Sequence, residues 1–260
     1  MLHALRRQII PSLMLTAVVA VALGLVYPLV VTGIGQVALS RQANGSFITQ
    51  NGKVVGSSLI GQNFLDAKGN PDPKYFQPRP SAAGAGYDPT SSGASNLGPG
   101  DPRLVGFIPG FNTVGLDGSR SATNPFATAA DPYCVPTDDT GAPVISPAAG
   151  QKYAKNPDGS YACSANTVPE RASAYRQLNG LADTASVPVD AVTGSASGLD
   201  PAISVANADL QAARVAKARN LSPDRVLGLV KANTRGRQLG FLGEPTVNVL
   251  TLNLAMDGNP

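Results

Sequence analysis

The sequence predicts an α+β fold, in which one N-terminal transmembrane helix is followed by a small extracytoplasmic α+β domain with a long loop-like insertion. Two observations predict it: no charged residue occurs from Gln8 to Ser40, and helix-start and strand-like patterns concentrate in the last third of the chain. With 28 Gly, 22 Pro and only 14% charged residues among 260, we expect short elements joined by many fixed turns.

The apolar stretch near the N-terminus predicts a membrane anchor. Residues 13–31 are almost continuously Leu, Val and Ala, and about 20 apolar residues rising ~1.5 Å each cross a hydrocarbon core of roughly 30 Å. A cleaved signal peptide would have a shorter run followed by a small-residue cleavage site, whereas here Tyr27-Pro28 leads into further apolar residues. We favour the anchor over a signal peptide or a buried core helix.

Basic residues predict the orientation of this anchor. Arg6 and Arg7 precede the apolar stretch, and the next basic residue is Arg41. The positive-inside rule then places the N-terminus in the cytoplasm and the main domain outside, as in a single-pass plasma-membrane protein. The expected division is 1–40 for the cytoplasmic N-terminus and anchor, 41–103 and 170–260 for the two parts of the extracytoplasmic domain, and 104–169 for a loop-rich insertion.

The two cysteines, Cys134 and Cys163, both fall in the predicted insertion. In an oxidising compartment they would close a loop of about 30 residues and contribute on the order of 3 kcal/mol, although two unrelated thiols remain the alternative. No metal site is expected, because the sole histidine, His3, precedes the anchor. No nucleic-acid partner is expected either, because the net charge is only +3 and two of the positive charges precede the anchor.

The first part of the domain predicts one strand and one ordered loop. The turn dipeptide Asn51-Gly52 is followed by a strand-like run at 53–60. Residues 71–102 are rich in Pro, Gly and Ser, but they also contain Tyr75, Phe76 and Tyr87 in a chain with few aromatic residues. We therefore expect a loop that is packed by its own rings rather than a disordered segment.

The second part carries more regular patterns. Residues 170–181 predict a short helix. Asp200-Pro201 and Ser222-Pro223 each combine a capping residue with Pro at the first helical position, which predicts two further helices. Residues 246–255 alternate as a strand does, with a break at Val249-Leu250 typical of a bulge.

No catalytic residue is expected. The chain contains no G-x-x-x-x-G-K-[ST] phosphate loop and no Asp-Lys-Thr-Gly segment, and the outer domain has no histidine. Gly194–Gly198 resembles a nucleophile elbow but has Ala in place of the serine. The Gly/Ser run from Thr193 to Pro201 could hold an anion at a helix N-terminus, or it could be a turn capped by Asp200, whose charge opposes a phosphate.

Several segments, taken in their order along the chain, resemble the C subunit of Kdp-type potassium-transporting ATPases. The departure from the family is 104–169, which its shorter members lack. The matching segments are YPLVVTGIGQ at 27–36, GSSLIGQNF at 56–64, YFQPRPSA at 75–82, SGASNLGP at 92–99, VPVDAVT at 187–193, SGLDP at 197–201, GRQLGFLGEP at 236–245 and VNV at 247–249.

The resemblance implies a complex with a potassium-channel-like subunit, a P-type ATPase subunit and a small membrane subunit, all in a lipid bilayer. It implies no cofactor of the chain's own, but it does imply ATP contact at Ser197, Gly198, Leu199 and Asp200. The predicted topology opposes that contact, because the domain and cytosolic ATP lie on opposite sides of the membrane. Three functions stay open: a structural assembly subunit, a chaperone that raises ATP binding by the ATPase subunit, and an unrelated anchored binding module.

The assembly hypothesis assigns roles within the anchor. Gly24, Gly33 and Gly35 would allow close approach of a partner helix, and Gln36 would bond that helix near the interface. The alternative is that these glycines are merely common in transmembrane helices.

Overall fold

The computed structural model describes residues 2–98, 101, 104, 135–141, 144, 152–163 and 167–258. The chain divides into two compact units, Met1–Leu59 and Ile60–Pro260. Most of the predicted insertion at 104–169, Cys134 included, lies outside the described residues. The insertion's boundaries and the Cys134–Cys163 disulfide therefore stay predictions.

The first unit begins with a long apolar helix. It consists of α1 (Leu2–Val21), a π-helical turn (Ala22–Val26) and α2 (Tyr27–Ala38). Pro28 in the first turn of α2 lacks an N–H, and its ring crowds the carbonyl four residues earlier, at Gly24. The π-helical turn lies at this point and widens the helix locally. Within the described residues, Arg7–Ala38 is the one helix long and apolar enough to cross a membrane, and its most apolar stretch contains no buried residue.

A short hairpin completes the first unit. After α3 (Ser40–Ala43), β1 (Phe47–Gln50) pairs antiparallel with β2 (Lys53–Ser57), and Phe47 lies opposite Ser57. The predicted turn at Asn51-Gly52 and the strand after it are confirmed, although the strand ends at Ser57 rather than at residue 60.

The second unit packs helices around a small antiparallel sheet, in agreement with the predicted α+β class. The sheet order is β3-β5-β4. The strands are β3 (Ala202–Ser204), β4 (Thr234–Arg235) and β5 (Thr246–Asn248), and the helices are α4 (Val168–Asn179), α5 (Val189–Val192), α6 (Val205–Arg219), α7 (Pro223–Ala232) and α8 (Val249–Met256).

Two predicted helices are present, one shifted by two residues and one beginning at its predicted cap. The helix expected at 170–181 is α4, which a capping box opens: Glu170 N–H donates to Thr167 Oγ1 and Thr167 N–H donates to the Glu170 carboxylate at 2.7 Å. Ser222 caps α7, and Pro223 occupies its first position. Both predictions are confirmed.

The predicted helix start at Asp200-Pro201 is wrong. The chain instead enters β3, where Ala202 pairs with Asn248, and the helix begins at Val205 with Ser204 as its cap. Asp200 Oδ1 accepts a hydrogen bond from the Ala202 amide at 2.9 Å, so Asp200 closes a turn before a strand. Pairing with a distant strand overrides the local helix signal.

The strand predicted over 246–255 is also partly wrong. It ends at Asn248, whose side chain accepts a hydrogen bond from the Thr251 amide at 3.1 Å and thereby caps α8. The break at Val249-Leu250 is therefore a strand-to-helix transition and not a bulge. Both Val249 and Leu250 are buried, so the transition places consecutive apolar residues in the core, which the alternating faces of a strand would not do.

The core of the second unit includes the aromatic loop. Phe76 is fully buried in the central cluster and Tyr87 is 7% exposed, so the expectation of an ordered loop is confirmed. The other members of the cluster come from the sheet and from α6, α7 and α8: Ile203, Ala208, Ala212, Val215, Ala216, Val226, Val230, Val247, Val249, Leu252 and Met256.

Candidate functional site

Side-chain amides hold the loop around Phe76 as a neighbouring strand would. Asn253 accepts a hydrogen bond from the Phe76 amide at 2.8 Å and donates one to its carbonyl at 3.0 Å. Gln211 does the same for Gln77, at 2.7 and 3.1 Å. Two buried residues on α6 and α8 thus satisfy a stretch of backbone that has no sheet partner.

Arg214 reinforces this loop from α6. It donates to the carbonyls of Pro73 and Tyr75 at 2.7 and 3.0 Å and to the side chains of Asn179 and Gln211 at 2.9 and 2.7 Å. Burial lowers the pKa of the guanidinium to about 10, which leaves it charged at neutral pH. We call Gln211, Arg214, Asn253 and the backbone they bind at 73–77 the amide clamp.

A second cluster lies where residues 79–93 meet residues 193–200 and Gly61; we call it the loop junction. Arg79 pairs with Asp200 at 3.4 Å and also donates to the carbonyls of Thr193 and Gly194. The Tyr87 hydroxyl donates to the Arg79 carbonyl at 2.8 Å. Burial raises the pKa of this hydroxyl, and the nearby Asp200 charge adds to the effect.

The residues predicted to contact a nucleotide all lie in the loop junction, and their carbonyls are bonded within the chain. The Ser197 carbonyl accepts from the Gly93 amide and the Leu199 carbonyl from the Gly61 amide, both at 2.9 Å. Ser81 Oγ donates to the Gly198 carbonyl at 2.6 Å. The loop therefore joins the segments that carry the family resemblance.

The amides of the same loop are also bonded. Gly198 N–H donates to the Ser195 carbonyl at 3.3 Å, Leu199 N–H to Ser197 Oγ at 3.1 Å and Asp200 N–H to Ser195 Oγ at 3.4 Å. The loop leads into β3 rather than into a helix, so it lacks the helix N-terminus that the anion interpretation required. An anion would have to displace existing bonds there.

Gly198 is the tightest point of the loop junction. Its φ is +68°, and a Cβ at this position would lie 2.6 Å from the Gly93 carbonyl oxygen and 2.9 Å from the Ala83 nitrogen. Only glycine fits this combination of conformation and contact.

A groove of about 780 Å³ lies beside the amide clamp. Among the described residues that line it, Arg171 is the one charged side chain, and the other polar groups include Asn63, Asn70, Gln77 and Gln177. Arg171 donates to the Val192 carbonyl at 3.1 Å, and burial lowers the pKa of its guanidinium. Sequence reasoning missed this groove, because its lining comes from three separate parts of the chain that carry no common motif.

The predicted membrane-packing residues all lie on the apolar helix. Gly24 is in the π-helical turn, and the other three are in α2. In the part of the chain that the structure describes, a Cβ added at Gly24 or Gly33 would meet no atom within 4 Å, whereas one at Gly35 would lie 3.8 Å from Ala43 Cβ. Gln36 Oε1 accepts a hydrogen bond from Asn44 Nδ2 at 3.0 Å, so this side chain has a partner within the chain.

Among the described residues, one helix is long and apolar enough to span a membrane, and an α+β domain follows it; this architecture is that of a membrane-associated protein. The family model for the K⁺-transporting ATPase c chain, KdpC, matches residues 9–111 and 136–258. The chain belongs to this family.

Curated relatives agree over nearly the whole length. The potassium-transporting ATPase KdpC subunit of Mycobacterium bovis (strain BCG / Pasteur 1173P2) is 42% identical over 253 residues, which cover 97% of this chain and 99% of that protein. The KdpC subunit of Koribacter versatilis is 37% identical over 255 residues, with 98% and 96% covered. That of Burkholderia orbicola is 43% identical over 248 residues, with 95% and 94% covered.

Proposed function

We propose that the chain is a non-catalytic accessory subunit of an ATP-driven potassium uptake complex, where it assembles and stabilises the channel-like and ATPase subunits beside a small membrane subunit. The observation that carries this proposal is the loop junction. The carbonyls of Ser197, Gly198 and Leu199 are bonded to other segments of the domain. The amides of Gly198, Leu199 and Asp200 are bonded within the loop itself. This arrangement favours a rigid scaffold over a ligand loop that must open.

The topology adds to the proposal. Arg6 and Arg7 precede the apolar helix, and Arg41 is the next basic residue after it. The positive-inside rule then puts the main domain outside the cytoplasm, away from cytosolic ATP. A subunit in this position acts on its partners through contact rather than through nucleotide chemistry.

The apolar helix supplies one assembly surface. Because none of the described residues comes within 4 Å of a Cβ added at Gly24 or Gly33, a partner helix can come close to the backbone at both points. Gln36 is paired with Asn44, so in this proposal it fixes the end of the helix and the glycines make the contact.

A second candidate is the chaperone that raises ATP binding by the ATPase subunit. The groove beside the amide clamp favours this candidate. Its volume is about 780 Å³, and its described lining residues include Arg171 and several side-chain amides but no carboxylate. Such a lining suits an anionic ligand. Nucleotide binding to the full-length subunit in detergent, compared with Arg171→Ala, tests this candidate directly.

The assembly proposal is tested by co-purification of the tagged full-length chain from native membranes in mild detergent. Gly33→Leu should reduce the amounts of the other ATPase subunits that co-purify, because the added side chain blocks close helix approach. Val37→Leu, at a position 89% exposed on the same helix, is the matched control. Wild-type chain that brings down no ATPase subunit would refute the proposal.

The topology has its own test. Protease added to right-side-out vesicles should digest the main domain. Digestion only after the vesicles are opened would place the domain in the cytosol and favour the chaperone.

A further inference from the structure

The hairpin between β4 and β5 ends in an ordered tip, residues 236–243. Gln238 and Leu242 exchange both backbone hydrogen bonds, each at 2.9 Å. At the base of the tip, Arg237 forms an ion pair with Glu244, the next residue after the tip, at 2.7 Å. The tip therefore has a fixed shape even though little of the domain packs against it.

The tip holds its apolar side chains in solvent. Leu239, Phe241 and Leu242 are 82%, 69% and 48% exposed. Elsewhere in the described part of the second unit, exposed large apolar residues occur singly, as at Leu65, Val189 and Leu227. Three such side chains on one short turn form a patch, and patches of this kind mark contact surfaces.

The backbone of the tip indicates what covers it. Within the described residues, the amides of Leu239 and Gly243 donate no hydrogen bond. Hydrocarbon would leave these amides unsatisfied at several kcal/mol each, whereas a protein surface can supply acceptors. Along residues 234–246, Arg235 and Arg237 are exposed and Glu244 is the one acid, so this segment carries a net positive charge that attracts carboxylates.

We propose that the tip docks into an apolar pocket bordered by carboxylates on another subunit of the same ATPase. This inference rests on the proposed assembly function. It adds that the second unit, and not only the apolar helix, contacts another subunit. Leu239 and Phe241 fill the pocket, while Arg235 and the free amides meet acceptors around it.

The test uses the full-length chain co-purified from native membranes. The double variant Leu239→Ser/Phe241→Ser should recover about tenfold less of the other ATPase subunits, the change expected when a central apolar contact is lost. Arg235→Glu, which reverses a charge beside the patch, should act in the same direction. Val189→Ser, at an exposed apolar position in the same unit (73% exposed), should leave recovery unchanged.

Two further measurements show whether reduced recovery results from a lost contact or from unfolding of the variant. Thermal unfolding of each variant in detergent should match that of the wild type, because the replaced side chains are exposed. The photo-crosslinker p-benzoylphenylalanine in place of Phe241 should link the chain to an ATPase subunit. Crosslinks to lipid alone, to a second copy of this chain, or to nothing would overturn the docking inference.

The design separates this inference from the proposed function. If the wild-type chain recovers the other subunits and the tip variants recover them equally well, the docking inference fails and the assembly function stands. If the wild-type chain recovers none, the assembly function itself fails.

Discussion

The loop junction and the hairpin tip have similar compositions and opposite environments. Both are turn-rich, contain glycine at positive φ and include segments that resemble the family. In the junction, polar groups are bonded within the domain, whereas the tip presents to solvent its apolar side chains and amides, those of Leu239 and Gly243 among them, that donate no hydrogen bond to the described residues. We infer that the junction's residues serve the fold of the domain and that the tip's residues serve contact with another chain.

Replacing Gln211 of the amide clamp should have the largest effect on the stability of the domain. Gln211→Leu would leave the Gln77 amide without its acceptor and take one neutral acceptor from the buried Arg214. We expect the free energy of unfolding to fall by about 3 kcal/mol, since unpaired buried polar and charged groups are costly. Urea denaturation of the full-length chain in detergent measures this fall.

Gln177→Leu is the matched control, because Gln177 is exposed and should tolerate the change within about 0.5 kcal/mol. Equal costs at the two positions would show that the amide clamp contributes little to stability.

The same substitution can be made at one glycine in each region. Gly198→Ala combines an unfavourable φ of +68° with a contact of 2.6 Å to the Gly93 oxygen and should cost about 2–3 kcal/mol. Gly240 has a φ of +82° and open space around it, so Gly240→Ala should lower the free energy of unfolding only through the unfavourable backbone conformation, by about 1 kcal/mol. Thermal or urea unfolding of both variants checks the difference, and a Gly240→Ala cost as large as that of Gly198→Ala would contradict it.

Local signals predicted the elements that local chemistry decides. The start of α7 was predicted from its capping Ser222 and from Pro223. The helix α4 was predicted over 170–181, and its capping box at Thr167 and Glu170 places the start two residues earlier. Asp200-Pro201 has the same local form, yet the chain there pairs with β5, whose Val247 lies opposite Ile203. No local pattern contains that partner, so the helix start was misplaced.

The candidate site likewise depends on contacts between distant segments, which local sequence patterns do not predict. The resemblance identified the segments at 75–82, 92–99 and 197–201, but not that the last two meet at the loop junction. The bond from the Phe76 amide to Asn253 spans 177 residues, and that from Gln77 to Gln211 spans 134. A buried Asn or Gln on a helix carries no sequence mark that distinguishes it from a solvated one.

Alkaline pH should also separate the two regions. Burial raises the pKa of Tyr87 in the folded chain, so its contribution to stability is complete below pH 10 and is lost as pH rises above 10. Above pH 10 the unfolded chain releases this proton first, which lowers stability by up to about 1.4 kcal/mol per pH unit. Urea midpoints of the wild type and Tyr87→Phe between pH 8 and 11 should converge as pH rises.

Phe241→Tyr tests how the stability of the chain depends on alkaline pH when a tyrosine stands at the tip. A tyrosine on this exposed turn should ionise at the same pH in the folded and unfolded chains and add no slope to the stability curve. A steeper alkaline loss in this variant than in the wild type would mean that the tip is buried in the subunit itself.

One ion pair in each region gives the smallest predicted difference in stability. The side chains of Arg79 and Asp200 in the loop junction are 24% and 35% exposed, whereas those of Arg237 and Glu244 at the base of the tip are 43% and 74% exposed. Asp200→Asn keeps an oxygen that accepts from the Ala202 amide and removes only the charge, so the free energy of unfolding should fall by about 1 kcal/mol. For Glu244→Gln the fall should be less than about 0.5 kcal/mol, because water screens the exposed pair. Urea unfolding at low and at high salt measures both costs, and the cost at Asp200 should persist in salt while that at Glu244 disappears. Equal salt sensitivity would mean that the junction admits water as freely as the tip does, and the contrast between a closed scaffold and an open contact surface would then fail.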